Sequence, residues 1–190
     1  MLERRNLLVG LATFVAFGAS RARGDAPVLT DDGLYKQSWF LESFLELADD
    51  LQGAGKEGKR FVIMWELKGC PYCKETHFVN FAQPRIADYV KANFVVLQLN
   101  IIGSRKVTDF DGQTMSEKEL AAKYGIRYTP TFQFFAERSD SLKNLPPAKR
   151  EVARIPGYWR PDDFLAMFHY VRDKAYENKS FIDFLKGWQS

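Results

Sequence analysis

The chain has 190 residues, 46% hydrophobic and 27% charged, which is enough apolar material for one core without disulfide staples and suits one domain plus extras rather than two. Lys and Arg number 27 against 24 Asp and Glu, a net charge of +3, and nothing in that balance points to nucleic acid. Two cysteines exclude a disulfide-built scaffold, and at 15% aromatic the rings are expected to line a surface groove as well as the core.

The first 24 residues read as an export signal. Arg4 and Arg5 precede an apolar run over 7–19, and small residues follow at Ser20, Ala22 and Gly24. The run is shorter than the ~20 residues that span a bilayer, so an uncleaved anchor is the weaker alternative. Arg4-Arg5-Asn6-Leu7-Leu8 is also similar to a twin-arginine signal, with Glu3 where Ser or Thr is usual, and general secretion stands beside it. Cleavage after Ala22 removes three arginines and Glu3, leaving a net charge of about +1. The expected location is the periplasm, an oxidising compartment where one close cysteine pair is more often catalytic than structural.

Residues 25–37 form a loose lead-in with Pro27 and Asp31-Asp32-Gly33. Phe40, Leu41, Phe44, Leu45 and Ala48 recur at helical spacing, which predicts a helix over 38–51, broken by three glycines within 53–59. The continuous apolar run 61–65 predicts a strand buried on both faces. A helix is expected from Pro71 to Ala82, broken at Pro84 and continued over 85–92, followed by a buried strand at 94–99. Residues 103–114, with an Asp111-Gly112 turn, predict a small hairpin. Ser116 and Glu119 form a capping box that opens a helix ending at Tyr124 and Gly125. Strands follow at 131–136 and 151–155, separated by a loop with Pro146-Pro147. A helix starts at Pro161 with Phe164, Leu165, Phe168 and Val171, and a last short one covers 180–188. Early strands joined by helices imply a parallel portion, and the last two, joined without one, an antiparallel edge: one small α/β sheet.

The two cysteines stand three apart in Cys70-Pro71-Tyr72-Cys73. Such a pair closes a small disulfide and reopens it by exchange. Cys70 falls between a strand and a helix N-terminus, where unpaired N–H groups favour a thiolate; Cys73 lies one turn in and is more shielded. Cys70 is therefore the expected nucleophile and Cys73 the residue that resolves the mixed disulfide. Zinc would need His77, on the same helical face, and a further ligand, so no metal is assigned and His77 is read as packed against the sheet or at its rim. Glu66 is a candidate proton shuttle; its plainer reading is a solvent-facing carboxylate at a strand end.

This constellation resembles the thioredoxin superfamily. The segment Lys123-Tyr124-Gly125-Ile126-Arg127-Tyr128-Thr129-Pro130-Thr131 is similar to that family's stretch before its cis-proline strand. The resemblance implies a thioredoxin-like fold over 38–176, a central mixed sheet flanked by helices, with an insertion at 103–114 and an extra helix at 177–190. It implies a cis Pro130, a substrate-pairing Thr129 and a groove-lining Gly157, with Pro71 and Tyr72 also facing the client, and no cofactor. Three departures stand out. Met64 occupies the family's buried-acid position, Gly69 the usual tryptophan position, and Pro71-Tyr72 matches glutaredoxins.

The run Glu66-Leu67-Lys68-Gly69-Cys70-Pro71-Tyr72-Cys73, Gly157-Tyr158, and 162–168 resembles more narrowly the SoxW-type periplasmic thioredoxins of sulfur-oxidation systems. That implies a protein-disulfide reductase whose client is the SoxYZ carrier and whose donor is a membrane electron carrier of the SoxV/CcdA kind. The alternatives are a thiol oxidase or isomerase, a cytochrome c maturation thioredoxin, and a redox-inactive binding module.

Overall fold

The computed structural model describes residues 26–137 and 139–188; the export-signal reading lies outside them. Two short strands, β1 (Val28–Leu29) and β2 (Tyr35–Lys36), pair antiparallel in the lead-in. The main sheet has four strands in the order β4-β3-β7-β8, formed by β3 (Arg60–Glu66), β4 (Phe94–Asn100), β7 (Thr131–Phe135) and β8 (Glu151–Pro156). A small hairpin, β5 (Lys106–Thr108) with β6 (Thr114–Ser116), occupies the insertion. β3 and β4 are parallel, whereas β3–β7 and β7–β8 are antiparallel, so the sheet is mixed as the element order predicts.

Among the described residues, seven α-helices surround the sheet: α1 (Leu47–Lys56), α2 (Pro71–Glu75), α3 (Pro84–Asn93), α4 (Glu117–Lys123), α5 (Ser139–Leu142), α6 (Pro161–Arg172) and α7 (Phe181–Lys186). All seven residues of β3 are buried, as befits a central strand with layers on both faces. Its side chains alternate between two cores. Val62 and Met64 pack with Phe132, Phe134, Ile86 and Phe168 on one side. Phe61, Ile63 and Trp65 pack with Leu47, Leu51, Leu97 and Leu120 on the other. Each such side chain contributes ~1.5–3 kcal/mol by leaving water, so these alternating rows hold β3 at the centre of the domain.

The predicted helix over 38–51 is corrected: the helix begins at Leu47 and runs through Gly53 and Gly55 to Lys56. The Leu41 N–H donates to the Val96 carbonyl at 2.8 Å, holding that stretch beside β4, and Leu45 takes a left-handed φ of 64°. Phe40 and Leu45 are buried by this irregular path, and Phe44, placed on the apolar face by its spacing, is 99% exposed. The capping box forms as read, with the Ser116 Oγ accepting from the Glu119 N–H and Glu119 accepting from the Ser116 N–H. The loop between β7 and β8 holds α5 and a 3₁₀ turn at Pro147–Lys149.

Candidate active site

β3 delivers the chain to the cysteine motif through a sharp turn. Gly69 sits there at φ +77°, a left-handed conformation that side chains resist, so glycine rather than a large aromatic stands before Cys70. Cys70 is the N-cap of α2, its Sγ 3.1 Å from the Cys73 N–H, and Pro71 fills the first helical position. The cysteines are joined in a disulfide with Cα atoms 5.3 Å apart. Cys70 is half-buried and Cys73 is only 3% exposed, so attack from outside falls on Cys70. α2 runs directly into a π-helical turn, Thr76–Asn80, which turns His77 and Asn80 inward and leaves Phe78 and Val79 exposed.

A distant loop meets the disulfide. The Thr129–Pro130 peptide is cis, and the Thr129 carbonyl oxygen lies 3.4 Å from the Cys70 Sγ. The Gly157 N–H donates to the Pro130 carbonyl at 2.7 Å, with Gly157 at φ +78°. A groove of about 620 Å³ opens beside these residues, walled by Tyr72, Arg127, Tyr128, Thr129, Gly157 and Tyr158. Tyr72 and Tyr158 stack with centroids 6.2 Å apart, and Tyr128 is 66% exposed. The Tyr158 hydroxyl is held above its ordinary pKa by burial, then by the neighbouring Glu75 carboxylate to which it is hydrogen-bonded. The structure thus brings together Cys70, Tyr72, Thr129, Pro130 and Gly157, with Pro71 exposed at the helix start. Arg127 and Tyr128 were not singled out as site residues by sequence, although they sit immediately before Thr129.

Behind the disulfide lies a cavity of about 260 Å³ lined by Tyr35, Glu66, Cys70, Cys73 and Lys74 among others. Here the plainer reading of Glu66 is overturned: it is 1% exposed. Its Oε1 accepts from His77 Nε2 at 3.0 Å, and its Oε2 accepts from the Gln98 amide nitrogen. Gln37 donates to His77 Nδ1 at 3.2 Å. That donation assigns the ring proton to Nε2, facing Glu66. Both ring nitrogens of His77 are therefore engaged away from the cysteines. Glu66 is covered because the lead-in brings Tyr35 and Gln37 over the end of β3 and the π-helical turn presents His77; neither arrangement leaves a mark in local spacing. Met64 is fully buried in apolar surroundings.

The profile of the thioredoxin-like domain family matches residues 47–172. Among solved structures, a thioredoxin-fold protein from Helicobacter pylori is 24% identical, covering 73% of this chain and 88% of its own, with a TM-score of 0.51. A thioredoxin from Thermus thermophilus is 23% identical, over 66% of this chain and 83% of its own, TM-score 0.49. The periplasmic thioredoxin SoxS from Paracoccus pantotrophus is 20% identical, over 62% and 99%, TM-score 0.39. These likenesses concern the fold alone. No curated protein matches the chain significantly.

Proposed function

The chain belongs to the thioredoxin-like domain family, and from that premise we propose that it is a periplasmic thiol-disulfide oxidoreductase that reduces disulfides in other exported proteins. The observation that carries the reading is the unequal cysteine pair: a half-buried Cys70 at a helix start, its Sγ 3.4 Å from the carbonyl of Thr129 in the tyrosine-walled groove, backed by a buried Cys73. In the reduced protein the Cys70 thiolate, favoured by the helix N–H groups, attacks one sulfur of a client disulfide. A mixed disulfide forms and the first client thiolate leaves. Cys73 then gives up its proton, and its sulfur attacks the Cys70 sulfur and releases the second client thiolate. The client gains two electrons and the Cys70–Cys73 disulfide closes; an external dithiol donor must reopen it.

Glu66 is the proton acceptor for Cys73 in this scheme. Both line the same cavity, and the carboxylate is oriented by donors from His77 and Gln98. The passing proton goes to the departing client thiolate. Thr129, with Pro130 and Gly157, presents backbone to an extended client segment, and Pro71 and Tyr72 border it. The finer reading places the chain with the SoxW-type reductases, with a thiosulfate-oxidising SoxYZ carrier as client and a membrane electron carrier of the SoxV/CcdA kind as donor. Its support is the motif resemblance around Cys70, Gly157 and 162–168.

Trapping tests the proposal. A Cys73→Ser variant expressed with its export segment should strand clients on Cys70, recoverable as reducible adducts. A sulfur-carrier subunit among them supports the finer reading; cytochrome c apoproteins would replace it with thiol reduction for haem attachment. Absence of any adduct would sink the exchange mechanism. A reduction potential close to the roughly −120 mV end of the superfamily range rather than the roughly −270 mV end would make the protein an oxidant instead.

A further inference from the structure

We propose that the C-terminal helix α7 is a buttress for the client groove, acting on Tyr158 through Trp159, and that it gives the site its preference for protein disulfides over small ones. The preference rests on the oxidoreductase reading; the buttress does not.

The segment 157–160 joins β8 to α6 and carries one wall of the groove. It is held at three points. The Gly157 N–H is bonded to the Pro130 carbonyl at 2.7 Å. The Trp159 carbonyl accepts from the Asn80 amide at 3.0 Å, and Asn80 is itself fully buried in the π-helical turn. The Trp159 ring lies against Phe181 of α7, centroids 5.3 Å apart and nearly parallel. Between the second and first points stands Tyr158, stacked on Tyr72 beside the cysteines.

α7 is well placed to bear that contact. Tyr170 of α6 packs edge-on against both Phe181 and Phe184 at 5.4 Å, and its hydroxyl donates to the Lys179 carbonyl at 2.7 Å. Trp188 rests on His169 at 4.5 Å, which in turn stacks on Tyr89. The Ser180 hydroxyl caps the helix through the Asp183 N–H. The two hydrogen bonds restrain the segment's backbone but not the Trp159 ring; beside its contact with the buried apolar cluster, Phe181 supplies the flat face on which that ring stacks. Without that face the segment can rotate between its two bonded points, and Tyr158 leaves Tyr72. A peptide lying in the groove needs that wall for orientation. A small aromatic disulfide that reaches Cys70 alone does not.

The alternative is that α7 only extends the apolar core, in which case its loss acts through stability and affects every substrate alike. The test uses the full chain with Phe181→Leu, which stays apolar and removes the ring, beside Phe181→Tyr, which keeps the ring. Hydrogen exchange of 157–160 should quicken in the leucine variant and stay as in the parent in the tyrosine variant. Unchanged exchange in Phe181→Leu overturns the buttress whatever the activity. For reduction of insulin, KM should rise about fivefold, the scale of one lost aromatic contact, with kcat retained. Turnover of dithiobis-nitrobenzoate, and the equilibrium constant for thiol-disulfide exchange with glutathione, should stay within about twofold of the parent. Equal losses on both substrates, or none on insulin, overturn the preference. A parent chain inactive on both would instead remove the oxidoreductase reading, while the exchange result still decides the buttress.

Discussion

Glu66 and His77, eleven residues apart, form a hydrogen-bonded pair at 3.0 Å with 1% and 0% side-chain exposure, and Glu66 stands on the wall of the cavity behind the Cys70–Cys73 disulfide. A buried carboxylate needs partners to be tolerated, and His77 and Gln98 supply them. In the proposed mechanism that carboxylate is the proton acceptor for Cys73, with which it lines the cavity.

Glu66→Gln keeps the shape of that wall and removes the base. Resolution of the mixed disulfide should slow by ~100-fold or more, the range of a lost general base, while the first attack by Cys70 is unchanged. Rapid quenching should then catch the mixed disulfide accumulating. Unaltered resolution would remove Glu66 from the mechanism.

Restoring an acid at the position where thioredoxins carry one should fail. Met64 is fully buried between Phe132, Phe134 and the α3 and α6 side chains. A Met64→Asp carboxylate there has no partner and should cost ~3–5 kcal/mol, read by chemical denaturation. Met64→Leu, similar in volume, should cost under ~1.5 kcal/mol.

The two thiols of the reduced protein should alkylate in order. Iodoacetamide should modify Cys70 first, because Cys73 is 3% exposed and sits inside the helix. Peptide mapping after short exposures checks this; equal labelling would contradict the assigned roles.

Gly69→Ala forces a Cβ into a left-handed φ of +77° with no close neighbour to relieve or worsen it. The backbone term alone predicts a loss of ~1–2 kcal/mol. For a domain of this size that is a fall in melting temperature of roughly 2–8 °C.

Acid should weaken the tie between the β5–β6 hairpin and β8. Burial pushes the Asp111 carboxyl up, but hydrogen bonds from Lys123 and Arg150 outweigh it and hold it at about 2, below its ordinary 3.8. Its folded value is depressed, so its contribution is whole above pH 3.8 and is lost as pH falls towards about 2. Asp111→Asn should flatten the dependence of stability on pH across that window, measured by urea unfolding at successive pH values.

Much of the fold was legible in order along the chain. The apolar run at 61–65, the proline and glycine punctuation around Cys70, the Ser116–Glu119 box and the helix opened by Pro161 are local signals, and local hydrogen bonding and burial obey them. The failed helix at 38–51 shows the limit. Its spacing satisfied a helix, yet pairing of Leu41 with Val96 and the left-handed Leu45 hold off the helix until Leu47, burying Phe40 and Leu45 and leaving Phe44 outside, a choice made by β4 rather than by the segment itself.

By itself, the sequence determined the cysteine pair, the unequal positions of its two thiols on a helix start, and the mixed sheet that carries them. Tertiary structure alone decided what surrounds the pair. Glu66 became a buried partner of His77 because the lead-in and the π-helical turn close over the end of β3. Tyr72, Tyr128 and Tyr158 became one groove because the cis Thr129–Pro130 loop and the segment after β8 converge on α2. Spacing encodes which face of an element is apolar; it does not encode which distant polar group will arrive to satisfy a buried charge, because that depends on contacts between segments dozens of residues apart.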